Sequence, residues 1–309
     1  MIKTNKFIAW LKLSRAPFHS VGILPFILGA LLYKKIYGNF NILIFSMSCA
    51  AVIFIMISTY LNGEYYDVKE DILSDKLNKR NKFSGGSGIP AKGIIQKKYI
   101  KIVSYISITF AVCIGLLLQF YFKTGIWTIP LGVSGIIFGF FYSKPPLRWV
   151  KRGYGEILIG YCYGWLPIAV SFYLQSGFLI SIISWISIPI GLSIINVILL
   201  NEFPDYEPDK ISGKTNILVR IGKKRGGRLF VYISILQQIF VIISIIKGFP
   251  KEILFFYTPF FIISTFLIIM VLKSKNYNIK QLEILCGLNI IVNLGTCLSY
   301  ILSLHYLRF

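Results

Sequence analysis

Acidic side chains are scarce in this chain: twelve Asp and Glu stand against 33 Lys and Arg, with only two His. Charged residues make up 15% of it, well under the roughly 25% of an ordinary soluble domain. The five cysteines (Cys49, Cys113, Cys162, Cys286 and Cys297) sit singly in apolar segments, and no C-x-x-C pair occurs. That spacing argues against a disulfide framework and against a zinc site. A continuous apolar core is missing from the start, M-I-K-T-N-K-F-I-A-W-L-K-L-S-R15, where basic and apolar residues interleave. This segment is expected to be an interfacial amphipathic helix rather than a cleavable signal peptide.

What the chain has in quantity is apolar surface: 55% hydrophobic residues and a mean hydropathy of +0.69. Apolar runs near 20 residues recur along the whole length, which excludes a soluble helical protein with one large core. A backbone in lipid must satisfy its own hydrogen bonds, so such runs are helices. Nine spans are expected, near 20–37, 42–61, 101–121, 126–142, 155–174, 178–200, 229–247, 252–272 and 284–305. With the N-terminus in the cytoplasm, 27 of the 33 Lys and Arg fall on the cytoplasmic side. Only Lys34, Lys35, Lys123, Lys247, Lys251 and Arg308 fall outside. This asymmetry predicts an integral plasma-membrane protein with a cytoplasmic N-terminus and an external C-terminus. The net charge of +21 is thus a topology signal. The basic residues are loop-bound and flank lipid spans, so membrane lipid is the expected partner and nucleic acid is not.

Eleven of the twelve acids share that cytoplasmic side, and six form two matching sets. Glu64, Asp67 and Asp71 are spaced by three and four, which places them within about 60° on one helix face. Glu202, Asp205 and Asp209 repeat the spacing 138 residues later. Each set ends an even-numbered span, so the expected fold is an all-α polytopic membrane protein built from two four-helix halves. A single domain over 1–309 would hold pseudo-repeats at about 15–150 and 151–272, with a ninth helix at 284–305. Two facing carboxylate clusters repel unless a cation lies between them. Carboxylate oxygens are hard ligands that favour Mg²⁺ or Ca²⁺. Mg²⁺ takes one or two carboxylates and completes its shell with water and phosphate oxygens, so a diphosphate is the natural third party. Pro204 and Pro208 interrupt the second set; an unwound or kinked helix end is expected there, and a regular helix through the first.

The two motifs and their placement resemble the UbiA-type membrane prenyltransferases, whose Asp-rich motifs read N-D-x-x-D-x-x-x-D. The second copy fits as Asn201-Glu202-x-x-Asp205-x-x-x-Asp209. In the first, Gly63 holds the Asn position, Asn62 lies one residue early, and Glu64 stands for the first Asp. The similarity extends to R15-A-P-F-H-S-V-G-I-L-P-F-I-L-G29, R80-N-K-F-S-G-G-S-G88, Y142-S-K-P-P-L-R-W-V-K-R-G-Y-G-E156 and D209-K-I-S-G-K-T-N-I-L-V-R-I-G222. Within the family the pattern is most similar to the 1,4-dihydroxy-2-naphthoate polyprenyltransferases of menaquinone synthesis. One departure is Gly213-Lys214-Thr215-Asn216 in place of the usual G-K-R-T.

The resemblance implies a UbiA-type bundle that moves a polyprenyl group from polyprenyl diphosphate to a small aromatic acceptor. It implies two Mg²⁺ ions bridged by the diphosphate. Asp67 and Asp71, helped by Glu64, would hold one; Asp205 and Asp209, helped by Glu202, the other. Cations should meet the departing oxygens: Lys144, Arg148, Arg80 and Lys82 first, then Lys151, Arg152 and Lys214. Asn62 and Asn201 would orient the diphosphate or acceptor, and the Tyr142 ring would face the allylic cation. Gly135-x-x-x-Gly139 and Gly160-x-x-x-Gly164 mark close helix contacts beside an apolar groove for the tail. Other acceptors (4-hydroxybenzoate, homogentisate, haem, a glycerol-phosphate lipid), a membrane terpene cyclase and a cation transporter remain alternatives. A CDP-alcohol phosphotransferase would carry D-G-x-x-A-R, which is missing.

Overall fold

The computed structural model describes residues 5–77, 80–273 and 278–307. Lys3, Lys79, Lys275 and Arg308 of the charge count lie outside these. Every regular element among the described residues is helical. In chain order they are α1 (Lys6–Leu13), α2 (Ser20–Tyr37), α3 (Ile42–Tyr66), α4 (Val68–Lys76), α5 (Lys97–Leu116), α6 (Thr128–Phe140) and α7 (Gly155–Gly160). Then follow α8 (Leu166–Ser176), α9 (Ser181–Ile211), α10 (Ile217–Ile221), α11 (Lys223–Ile246), α12 (Ile253–Lys273) and α13 (Ile279–Ser303). Eight helical stretches among the described residues are long and apolar enough to cross a membrane, and the protein is an integral membrane protein. The fourth expected span is shorter: α6 has 13 residues, about 20 Å at 1.5 Å per residue. It starts after the Gly125 turn, at φ +114, and ends at the Phe141 cap.

Local signals set the boundaries. The Asn41 side chain accepts from the backbone of Leu43 and Ile44 to start α3. Asn278 and Gln281 form a capping box on α13. α1 turns Ala9 and Leu13 inward and leaves Phe7 and Leu11 exposed, the two-sided pattern of an interfacial helix.

The two carboxylate segments behave opposite to expectation. α3 breaks at Asp67, which is both its C-cap and the N-cap of α4. α9 instead runs for 31 residues through Pro204 and Pro208. Pro204 has no N–H for the Leu200 carbonyl four residues back. That carbonyl accepts from the Cys286 thiol on α13 at 3.6 Å, so the freed acceptor is satisfied inside the bundle and does not face the site.

Small residues and buried polar bridges bring the helices together, as lipid-embedded packing requires. Gly164 meets Gly191 backbone to backbone; a Cβ at Gly164 would stand 2.6 Å from the Gly191 Cα. A Cβ at Gly139 would stand 2.7 Å from the Thr59 hydroxyl. The Ser58 hydroxyl meets Ser104 at 2.9 Å, tying α3 to α5. Asn196, 138 residues after Ser58, donates to the Ser234 hydroxyl at 2.8 Å, tying α9 to α11. That separation is the offset of the carboxylate sets themselves.

Candidate active site

The two carboxylate sets meet at one end of a cavity of about 420 Å³. Asp67, Asp71, Asn201, Glu202, Asp205, Asp209, Lys214 and Tyr142 all line it. From Asp67 the lining continues down α3 to Ser48, nineteen residues away, a depth of about 28 Å at helical rise. Below the carboxylates the walls are apolar: Ile55, Val52, Leu118, Ile136, Leu166 and Leu174. One polar end on one long greasy channel suits a ligand with a charged head and a hydrocarbon tail.

Three carboxylates at the polar end, Asp67, Asp205 and Asp209, have direct hydrogen-bond or ion-pair partners. Asp67 accepts from the Arg148 guanidinium at 2.9 Å and from the Ser143 hydroxyl at 2.7 Å. Arg148 also donates to Glu70 at 2.9 Å, from a left-handed backbone at φ 42. A non-glycine residue held there marks a constraint worth its strain. Asp205 accepts from the Ser74 hydroxyl at 3.1 Å and the Gly85 amide at 3.2 Å, so α4 and the loop after it reach across to the second set. Asp209 pairs with Lys214 at 3.0 Å and accepts from the Asn216 amide at 2.9 Å. Burial, then the charges of Glu64 and Asp67, push the Asp71 carboxyl up to about 8. Burial alone would lower the Lys214 ammonium, but Asp67, Asp209, Glu70 and Asp205 outweigh it and hold it above its ordinary value. Among the residues lining the cavity, the carboxylates of Asp67, Asp71, Glu202, Asp205 and Asp209 crowd against two cations, Arg15 and Lys214.

Several expected site residues do not themselves line the cavity. Arg148 stands behind Asp67 and Glu70, which it bridges. Asn62 is buried among the helices, donating to the Phe140 carbonyl at 3.0 Å and accepting from Ser104 at 3.0 Å. Glu64 accepts from the Ser87 amide at 2.9 Å and from Arg15 at 3.4 Å, anchoring the glycine loop in place of facing the cavity. Arg80 folds back on that loop, bonding the Gly85 and Asp71 carbonyls and pairing with Asp75 at 2.8 Å. Lys82 points outward to Glu283 at 3.1 Å, its side chain 83% exposed. Lys144 stands over the rings of Phe140, Tyr105 and Phe141, 4.1 Å from the nearest centroid. Its charge is spent on those π faces. Lys144→Ala is accordingly expected to leave the donor KM unchanged, which steady-state kinetics over a donor series would check. Lys151 and Arg152 lend their carbonyls to Thr215 and Arg220, stitching the loop before α7 to the loop after α9.

Other residues reach the site unforeseen. Arg15, Tyr60, Tyr163 and Asn216 all line the cavity. Arg15 opens a segment quoted above for its similarity, yet nothing in its spacing ties it to Glu64, 49 residues on. Asn216 is the last residue of the departing G-K-T-N; its Oδ1 caps α10 by accepting from the Val219 amide at 2.8 Å while its Nδ2 holds Asp209. Glu156 lies buried at the start of α7 and accepts from the Ile217 amide at 2.6 Å.

The donor set is all oxygen. Among the described residues no three His, Cys, Asp or Glu side chains converge closely enough to hold a metal unaided. The cavity-lining acceptor Asn201 Oδ1 is buried without a hydrogen-bond partner, and the buried Glu202 carboxyl stands against the Glu156 carboxyl. An unpartnered buried oxygen beside crowded carboxylates fits a hard cation that brings further ligands with it.

These observations define a helical membrane protein with paired carboxylate sets at the end of an apolar channel. The chain belongs to the UbiA prenyltransferase family, whose sequence profile matches residues 23–283, and it is a transferase of prenyl groups. It is 26% identical over 241 residues to the 1,4-dihydroxy-2-naphthoate octaprenyltransferase of Bacillus subtilis, covering 78% of this chain and 74% of that one. Its fold is similar to that of a digeranylgeranylglyceryl phosphate synthase, with a TM-score of 0.67 and 19% identity over 98% of this chain and all of the other. It is also similar to a UbiA homolog from Archaeoglobus fulgidus bound to DMAPP and Mg²⁺, with a TM-score of 0.60 and 17% identity over 93% of this chain and 98% of that one.

Proposed function

We propose that this protein transfers a polyprenyl group from polyprenyl diphosphate to 1,4-dihydroxy-2-naphthoate or a close aromatic relative, at the cytoplasmic face of the membrane. The observation that carries the reading is the single cavity that joins both carboxylate sets to about 28 Å of apolar wall. The naphthoate acceptor is supported by the Bacillus subtilis relative, and the cytoplasmic side by the distribution of Lys and Arg.

Asp67 and Asp71 would hold one Mg²⁺, and Asp205 and Asp209, with Glu202, a second. Bound there, Mg²⁺ supplies Lewis-acid stabilisation of the charge that develops on the departing diphosphate. The protein's own groups do the rest. Lys214 and Arg148, already paired with Asp209 and Asp67, supply positive charge at the diphosphate end of the channel. Ser143 and Asn216 fix the orientation of the carboxylates they touch. The Tyr142 ring, on the cavity wall beside the carboxylates, presents its π face to the allylic cation. The apolar channel keeps water from quenching that cation before the acceptor ring attacks.

The test uses membranes holding the full chain, labelled octaprenyl diphosphate, and a panel of naphthoate, 4-hydroxybenzoate, homogentisate and glycerol-phosphate lipid acceptors. A prenylated naphthoate that forms with Mg²⁺ and vanishes with EDTA is the expected result. A product from another acceptor alone would overturn the naphthoate assignment. Diphosphate release without any acceptor product would overturn transfer in favour of a cyclase.

A further inference from the structure

One edge of the bundle carries positive charge with no negative charge to answer it. Residues 1–63 and 76–155 contain no Asp or Glu. Glu64, the first acid of the chain, is buried and turned onto the Ser87 amide and Arg15. At this edge α1 meets the segment after the glycine loop and the start of α5: Ala9 and Leu13 share one buried cluster with Leu61, Ile95 and Ile100. Lys6 and Lys12 of α1, Lys92 of that segment, and Lys97, Lys98 and Lys101 of α5 are all exposed. Among the described residues none of the six forms an ion pair with a carboxylate.

The same edge is apolar between its charges. α1 turns Phe7, Ile8 and Leu11 to the outside, and Tyr99, Ile102 and Tyr105 are exposed beside the α5 lysines. The Lys98 ammonium stands 4.9 Å from the Tyr99 ring centre, and the Lys101 ammonium 5.8 Å from that of Tyr65. Long stems laid over apolar rings, with ammonium groups at the rim, suit the boundary between acyl chains and headgroups. Lys97 and Lys98 lie four and three residues before Lys101. Like charges at those spacings repel on a helix, and an anion between them removes the repulsion. An acidic soluble protein would answer the charge and leave Phe7 and Leu11 bare. The phosphate and acyl chains of one lipid answer both.

We propose that this edge binds anionic phospholipid headgroups of the leaflet on the carboxylate side, and that the bound lipid steadies Arg15. α1 ends at Leu13. Arg15 follows in a left-handed backbone, φ 49, with its side chain held at Glu64 and on the cavity wall. A lipid that fixes α1 against the bundle therefore fixes the residue from which Arg15 reaches the site. The lipid site rests on no assignment of substrate. Its coupling to donor binding rests on the reading proposed above.

The test places the full chain in nanodiscs of phosphatidylcholine with and without phosphatidylglycerol. Lipid retained by the protein after detergent extraction is counted by mass, and donor affinity is measured with labelled octaprenyl diphosphate and Mg²⁺. Wild type is expected to retain phosphatidylglycerol over phosphatidylcholine by about tenfold or more, and to bind donor several-fold more tightly in discs that contain it. Lys6→Gln, Lys12→Gln, Lys98→Gln and Lys101→Gln combined remove exposed charge alone and are expected to abolish both effects. Lys224→Gln, Arg225→Gln and Arg228→Gln combined, on the exposed start of α11, are expected to keep both. Equal retention of the two lipids by wild type, or equal loss in the α11 variant, would overturn the site. Selective retention with unchanged donor affinity would overturn the coupling to Arg15. Should the fourfold variant fail to fold, Lys98→Gln with Lys101→Gln applies the same test. Selective retention with no donor binding in any disc would leave the lipid site standing and remove the donor assignment.

Discussion

Asp67→Asn and Asp205→Asn should each lower kcat by about 10²–10³-fold, the scale of removing one preorganised charge-stabilising group, while the protein stays folded in the membrane. The geometry separates chemistry from structure at both positions. In the first variant the side-chain amide oxygen would keep an acceptor for Arg148 or Ser143, and Arg148 keeps Glu70 at 2.9 Å in any case. In the second, the amide oxygen would still accept from Ser74, whose hydroxyl stands 3.1 Å from the Asp205 carboxylate. What each variant loses is one negative charge at the mouth of the channel, so cation affinity should fall along with turnover. The measurement pairs single-turnover rates across a Mg²⁺ series with thermal melting in detergent. Turnover near wild type in either variant would sink the assignment of one ion to each carboxylate set.

Lys214→Met is expected to produce the largest loss of stability. The Lys214 side chain is 10% exposed and pairs with Asp209, itself 6% exposed. Removing one partner of a buried ion pair costs about 3–5 kcal/mol, because the other charge is left buried and uncompensated. Here Asp67, Glu70 and Asp205 act on the same ammonium, so several charges lose their counterion together. Two readouts distinguish this from a simple packing defect. Added Mg²⁺ should restore much of the lost melting temperature, because a divalent cation can take over the neutralisation. Donor KM should stay raised even then, because on the proposed reading Lys214 also meets the diphosphate. A variant that melts like wild type without Mg²⁺ would refute the electrostatic account of this end of the bundle.

The spans were legible because lipid leaves the backbone no partner but itself, and an apolar run of 20 residues then has one solution. The carboxylate pairing was legible for a different reason: an identical three-then-four spacing repeated at one offset survives without any knowledge of packing. The direction of the helix break was not. Proline rules weigh the hydrogen bond lost at Pro204, but the replacement donor for Leu200 is a thiol 86 residues away on α13. Likewise, nothing local separates Lys144, parked over three rings, from Lys214, buried between acids. Both are loop lysines beside a motif. Arg15 and Asn216 went unseen because their contacts to Glu64 and Asp209 are made by the fold rather than by spacing.

The break at Asp67 gives the two halves of the site unequal mechanical roles. The second set rides on an uninterrupted 31-residue rod and acts as a fixed jaw. The first set straddles a joint: Asp67 closes α3 with its amide on the Gly63 carbonyl at 2.9 Å, and Asp71 sits beyond the joint on the nine-residue α4. Ser74 and the Gly85 amide bond Asp205 of α9, and the Ser87 amide bonds Glu64 of α3, so α4 and the glycine loop bridge the two sets from beyond the joint. On the proposed reading, a diphosphate between the two sets meets a first set that is held from two sides, by Ser143 and Arg148 at Asp67 and by Asp205 at Ser74.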